Sequence, residues 1–78
     1  MTERRKLDIL YLQSECLLNY SKKTGKSLSE CANIFYEYGV FDYITRCYDV
    51  LHLSGPEYIL KDIVGRIKGG VKFATSRE

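Results

Sequence analysis

Residues 27–52, SLSECANIFYEYGVFDYITRCYDVLH, decide the fold class. Apolar and sulfur-containing side chains recur there every three or four positions, which is the spacing of one face of a helix. Gly39 interrupts this pattern, and glycine commonly follows the last turn of a helix because it tolerates a left-handed backbone. We therefore predict two short helices in this stretch, near 28–38 and 41–53, joined by a tight turn.

Two serines have the surroundings of helix starts. Ser27 and Glu30 have the spacing of a capping box, in which each side chain bonds a free backbone N–H of the first turn. Ser54 and Glu57 repeat that spacing, and Pro56 between them suits a first helical turn. The sequence therefore predicts helices that begin directly after Ser27 and after Ser54.

Helices are also predicted on both sides of the central stretch. The apolar residues of the N-terminal segment cover more than one helix face, which predicts a helix near 4–23 that is packed by several neighbours and ends at Gly25. A second apolar stripe predicts the last helix near 56–68, before Gly69 and Gly70.

These elements predict an all-α fold, a compact four-helix single domain with short loops over residues 1–70 and a C-terminal tail over 71–78. A chain of 78 residues forms one domain with a thin stability margin. Helical phase also predicts that Tyr36 and Tyr43 are exposed. The predicted core consists of Leu10, Leu17, Phe35, Ile44, Tyr48, Leu51, Ile59 and Ile63.

The charges divide the chain into an acidic centre and two basic ends. Residues 27–62 hold six acids and two bases, whereas the whole chain has a net charge of +2. The net charge is too small to indicate nucleic acid or a membrane, but an acidic helix face can steer a basic protein partner. Tyrosine is enriched where proteins bind each other. We therefore expect a partner-binding surface made of Glu37, Asp42, Tyr43, Arg46, Asp49 and His52.

This surface has an alternative interpretation as an ordinary solvated helix face. Asp42 and Arg46 have the i,i+4 spacing of a favourable ion pair, and Arg46 also neutralises Asp49 if both lie on that face. If the surface binds no partner, the basic tail from Val71 to Arg77, with Phe73 as its large apolar residue, is the next candidate.

The chemistry-bearing residues do not form a catalytic or metal-binding pattern. Cys16, Cys31 and Cys47 are separated by fourteen and fifteen residues, unlike the closely spaced pairs of zinc sites. Cys47 and His52 point about 140° apart on a helix. We expect apolar core thiols with no disulfide, metal or cofactor, and a turn or capping role for His52. No nucleophile or orienting group can be assigned to His52, so we expect the protein not to be an enzyme.

The expected location is the cytoplasm. The start of the chain lacks the apolar run of a signal peptide, and no segment approaches the roughly 20 apolar residues of a membrane span. Unpaired cysteines are typical of a reducing compartment. We expect no membrane association, and either a monomer or a homodimer.

A helix-turn-helix is the alternative to a protein-binding module. The second and third predicted helices with Gly39 between them have the right order for that motif. Asp42 and Asp49 on the recognition helix have the wrong sign for contact with phosphate. A nucleic-acid-binding regulator therefore stays the second hypothesis.

Three motifs carry a resemblance to a known family: GVFDYI at 39–44, YDVLH at 48–52 and GPEYILKDI at 55–63. Over about residues 7–68 the chain resembles the small bacterial and phage proteins of domain-of-unknown-function family 3791. Gly65-Arg66 departs from the acidic ending of that family. Genes of this family often lie beside one that resembles an ADP-ribosyltransferase toxin. The resemblance therefore implies an antitoxin-like or accessory partner of such a transferase.

Overall fold

The fold is seen in a computed structural model, which describes residues 3–70. Within these residues five helices follow one another: α1 (Glu3–Thr24), α2 (Leu28–Glu37), α3 (Val40–Arg46), α4 (Tyr48–Leu51) and α5 (Pro56–Lys68). No strand occurs within the described residues, so the predicted all-α fold is confirmed. The predicted tail over 71–78 lies outside the described residues.

The capping box at the start of α2 is confirmed. Ser27 is the N-cap, its hydroxyl accepts a hydrogen bond from the Glu30 backbone N–H at 3.1 Å, and the Glu30 carboxylate accepts from the Ser27 N–H at 3.2 Å. After α2, Gly39 adopts φ 74° and ψ 22°, a left-handed conformation that glycine tolerates without a steric penalty. This residue turns the chain directly into α3.

The predicted third helix is broken in two. Cys47 has φ −105° and ψ 17°, which separates α3 from the single turn of α4. Backbone bonds meet at Cys47: its N–H donates to the Tyr43 carbonyl and its carbonyl accepts from the Leu51 N–H, both at 2.9 Å. Cys47 therefore closes α3 and opens α4, a local distortion that side-chain spacing does not reveal.

The second predicted capping box is wrong. Gly55 is the N-cap of α5, with an extended backbone at φ −69° and ψ 151°, and no side chain caps that end. Pro56 holds the first helical position, so the helix begins one residue later than a box of Ser54 and Glu57 requires.

The core lies where α1, α2, α3 and α5 meet. Phe35, Ile44 and Ile63 are fully buried. The centroid of the Phe35 ring lies 5.2 Å from the centroid of the Tyr20 ring and 5.5 Å from that of Phe41. Such tilted and edge-on pairs are favourable arrangements of aromatic rings. The predicted core positions Phe35, Ile44, Leu51, Ile59 and Ile63 are confirmed.

Three predicted core positions differ from the structure. Leu10 is 56% exposed, whereas Leu17 and Tyr48 are only partly buried. The face of α1 that packs inward carries Ile9, Cys16 and Tyr20. Leu10 lies about 100° around the helix from Ile9 and therefore misses this face. The expected packing of α1 by several neighbours is confirmed, since it contacts α2, α3 and α5.

A side-chain hydrogen bond fixes α1 against α3. Nε2 of Gln13 donates to the Phe41 carbonyl and to Oγ1 of Thr45, both at 3.0 Å. Both bonds are made between partly buried groups, so the amide joins α1 to a carbonyl and a hydroxyl of α3.

None of the helices in the part of the chain described here has the length and apolar character needed to cross a membrane.

Candidate partner-binding cleft

A cleft of about 310 Å³ lies where the N-terminal half of α1 faces α4 and the start of α5. Its floor includes Leu51 and Ile59, which are buried. Its walls include Asp8, Tyr11 and Glu15 of α1, and Tyr48 and His52 opposite them. We call this the α1–α4 cleft.

The α1 wall follows from helical spacing. Asp8, Tyr11 and Glu15 stand at i, i+3 and i+7, so one face of α1 presents two carboxylates with a tyrosine between them. Both carboxylate residues are partly buried, and neither has an ion-pair partner among the described residues. Tyr11 remains 72% exposed. This wall is therefore negative, open and aromatic.

The opposite wall is a pair of stacked rings. The rings of Tyr48 and His52 are 4.8 Å apart between centroids and 9° from parallel. Nδ1 of His52 lies 2.9 Å from the Tyr48 carbonyl oxygen. Because a carbonyl only accepts, Nδ1 carries the hydrogen of this bond. The predicted turn hydrogen bond of His52 is thus present.

Arg5, in the first turn of α1, connects that helix to this wall. Its Nη2 bonds Oδ1 of Asp49, and its guanidinium carbon lies 5.1 Å from the centroid of the Tyr48 ring. A guanidinium over an aromatic face is attracted to it. Arg5 therefore positions Tyr48 as well as neutralising Asp49.

The six residues of the expected partner-binding surface have different surroundings. His52 lines the cleft and Asp49 lies beside it, in its ion pair with Arg5. Asp42 and Arg46 form the predicted i,i+4 pair at 3.0 Å. Glu37 ends α2 and is exposed.

The predicted exposure of Tyr43 is wrong. Tyr43 is partly buried, and its hydroxyl bonds Asp62 of α5. Tyr36 is 83% exposed, as predicted. Arginines partner both Asp42 and Asp49, so this helix face is less negative than its sequence suggests. Its role in binding stays a prediction.

Sequence reasoning missed Asp8, Tyr11 and Glu15. The apolar pattern of α1 predicts which face is buried, but it does not predict which polar residues line a cleft. The signal that could have found them is a pair of acids one heptad apart, on the same face as a tyrosine.

The thiols lie as predicted with respect to the core. Cys16 and Cys31 are buried and Cys47 is partly buried, each as a free thiol. Burial raises the pKa of the Cys16 thiol to about 11, and the nearby charge of Glu15 acts in the same direction. Within residues 3–70, no three side chains of His, Cys, Asp or Glu are grouped so that they could hold a metal ion.

Comparison with known proteins gives one match, to a family. No curated protein and no solved structure matches the chain. The model of a family described as "Protein of unknown function (DUF3791)" matches residues 12–69. The match includes the second wall of the cleft and Glu15, whereas Asp8 and Tyr11 precede it. It covers more than half of the chain, and the chain therefore belongs to the DUF3791 family.

Proposed function

We propose that the chain is a small, non-enzymatic protein-binding module whose α1–α4 cleft receives a basic side chain of another protein. The observation that carries this proposal is the unpaired state, among the described residues, of Asp8 and Glu15 at the wall of an aromatic cleft. An arginine or lysine that enters the cleft gains a carboxylate partner and a tyrosine face together.

Exposed apolar side chains in the segments that line the cleft support the same function. Leu53, which follows His52 of the wall in the sequence, is 80% exposed, and Tyr58, which precedes Ile59 of the floor, is also exposed. Exposed leucine and tyrosine are typical of protein interfaces, where aromatic anchors carry much of the binding energy.

For the partner, we propose an ADP-ribosyltransferase-type protein encoded nearby, to which this chain is an antitoxin-like or accessory subunit. The family resemblance implies that partner, and the cleft chemistry is compatible with a basic residue from it. We propose that binding takes place in the cytoplasm, where free thiols such as Cys16 and Cys31 stay reduced. Sedimentation equilibrium of the isolated chain distinguishes a monomer from a homodimer.

The test is co-expression with the adjacent transferase-like protein, followed by affinity capture. We expect the double variant Asp8→Lys with Glu15→Lys to lose capture at low salt while keeping its helical circular dichroism and melting temperature. The matched control is Glu3→Lys with Ser29→Lys and Asn33→Lys, which changes the net charge equally at exposed positions outside the cleft. Equal loss in both variants would show that net charge, and not the cleft, governs capture.

A nucleic-acid-binding regulator stays the alternative. Its recognition helix would be α3, which has only seven residues and whose Asp42 and Arg46 pair with each other. Affinity for duplex DNA that survives about 200 mM salt would contradict our proposal, because nonspecific phosphate binding weakens steeply with salt. Catalytic turnover by the isolated protein would contradict it as well.

A further inference from the structure

A second concave surface has the opposite charge. It is a groove of about 540 Å³ between the C-terminal end of α1 and the outer face of α5. Its lining includes Lys23, Leu60, Lys61, Val64, Gly65 and Lys68. Leu60 and Val64 are partly buried and form an apolar floor, whereas the three lysines stand around it. We call this surface the α5 groove.

Gly65 is an unusual residue for the middle of a helix. Glycine there destabilises the helix relative to alanine, because it loses more backbone freedom on folding. A Cβ added at Gly65 would meet nothing within 4 Å, so no neighbouring group requires the glycine. Its structural effect is to leave the floor of the groove open down to the backbone, where another helix can approach closely.

The charge of the groove selects the kind of occupant. Lys23, Lys61 and Lys68 have no ion-pair partner among the described residues, and Glu57 is the one acid of the lining. Lys22 lines an adjoining hollow that shares Lys23 and Leu60. An apolar floor between lysines is complementary to a helix with an apolar stripe between acidic residues.

The chain's own C-terminal residues have the wrong charge for this groove. Residues 71–78 carry Lys72 and Arg77 against Glu78, so their net charge has the same sign as the lysines of the groove. We therefore propose that the α5 groove docks an acidic amphipathic helix of a partner protein, with its apolar stripe over Gly65. This site is separate from the α1–α4 cleft and does not depend on the function proposed for it.

The first test fills the groove without harming the helix. The probe is a fluorescein-labelled peptide of about 18 residues, long enough for five helical turns, with leucines at i, i+3, i+4 and i+7 and glutamates beside them. We expect Gly65→Leu to weaken its binding by tenfold or more, about the effect of losing one well-packed contact. Leucine is a strong helix former and its Cβ meets no atom within 4 Å here, so this variant should melt no lower than wild type. Gly65→Ala, which adds one methyl group, is the matched control and should bind within about twofold of wild type.

The second test reverses the charge. Lys61→Glu with Lys68→Glu should abolish peptide binding, whereas the control Arg4→Glu with Lys26→Glu, at two exposed positions outside the groove, should retain it. A peptide in which every glutamate is replaced by glutamine should bind at least about tenfold more weakly, because the charged hydrogen bonds are lost.

Three results would overturn the proposal. One is peptide binding that Gly65→Leu leaves unchanged. Another is tighter binding of duplex DNA than of the peptide, with the same dependence on Lys61 and Lys68, which would make the groove a nucleic-acid surface. The third is a dimer in sedimentation equilibrium that Gly65→Leu dissociates, which would make a second copy of the chain the occupant. Cleft variants at Asp8 and Glu15 should leave peptide binding unaffected, so failure of this proposal and failure of the cleft proposal are distinguishable.

Discussion

The hydroxyl of Tyr43 donates a hydrogen bond to Oδ2 of Asp62 at 3.1 Å and so joins α3 to α5. Oδ1 of the same carboxylate pairs with Nε of Arg66, one turn further along α5, at 3.4 Å. Burial raises the pKa of Tyr43 to about 12, and the charge of Asp62 and the hydrogen bond add to that effect. The fold therefore favours the neutral phenol.

This pKa predicts a loss of stability in alkaline solution. Ionisation of Tyr43 is harder in the folded chain than in the unfolded chain, where its pKa is near 10.0. The contribution of this group is therefore complete below pH 10 and is lost as the pH rises toward about 12. We expect Tyr43→Phe to reduce the fall in melting temperature between about pH 9 and pH 12. Identical pH profiles for wild type and variant would contradict this assignment.

A comparison of two serines tests the helix starts. Ser27→Ala removes the N-cap oxygen of α2 and should lower the free energy of unfolding by about 1 kcal/mol. Ser54→Ala should change it by less than about 0.5 kcal/mol, because Gly55 and not Ser54 caps α5. Urea denaturation of both variants measures the difference. Equal losses would show that Ser54 stabilises the turn in another way.

These serines show what local sequence can and cannot predict about the fold. Both have the same pattern, but only Ser27 is an N-cap that exchanges hydrogen bonds with its N3 partner, since Gly55 is the N-cap of α5. The outcome at Ser54 depends on Pro56, which fixes the first helical position one residue later. Apolar spacing located the four main helices, whereas the break at Cys47 is a backbone distortion that spacing does not encode.

The cysteines should differ in reactivity according to burial. Cys47 is partly buried, whereas Cys16 is buried and burial raises its pKa to about 11. Because the thiolate is the reactive form, we expect a thiol reagent at neutral pH to modify Cys47 first and Cys16 only after unfolding. Mass spectrometry of partly labelled protein identifies the sites. Early labelling of Cys16 would show that α1 opens readily.

Among the core residues, Phe35 should be the one whose replacement by alanine lowers the stability most. It is fully buried and contacts the rings of Tyr20 and Phe41. Phe35→Ala should cost about 3–5 kcal/mol, a large part of the roughly 4–12 kcal/mol available to a chain of this length. We expect a melting temperature in circular dichroism that is lower than wild type by about 10 °C or more. Tyr36→Ala, at the exposed neighbour, is the control and should melt within a few degrees of wild type.

The candidate cleft was less predictable than the core. The type and position of His52 make it a candidate from sequence alone. The residues that face it across the cleft depend on how α4 lies against α1. The ion pair of Arg5 with Asp49 joins residues 44 positions apart, and no local pattern specifies such a contact. The acids predicted on a binding face, Asp42 and Asp49, form ion pairs, whereas the two acids of the cleft wall, Asp8 and Glu15, have no ion-pair partner among residues 3–70.

Gln13 offers a test of the contact between α1 and α3. Its amide donates to the Phe41 carbonyl and to Thr45, whose hydroxyl also donates to that carbonyl at 3.0 Å. Gln13→Met should therefore lower the free energy of unfolding only slightly, because the carbonyl keeps its bond from Thr45. Gln13→Glu should cost about 1–3 kcal/mol at neutral pH, because a carboxylate that only accepts would face a carbonyl that only accepts.

The glutamate variant should also acquire a pH dependence that wild type lacks. Facing the carbonyl raises the pKa of the introduced carboxyl above its unfolded value, so its penalty is present above that folded pKa and shrinks as protonation lets it donate. Urea denaturation at neutral pH and at about pH 4 should show the gap between the glutamate and methionine variants narrowing in acid. A gap that stays constant would place residue 13 in solvent, and α1 would then be held to α3 by apolar contacts alone.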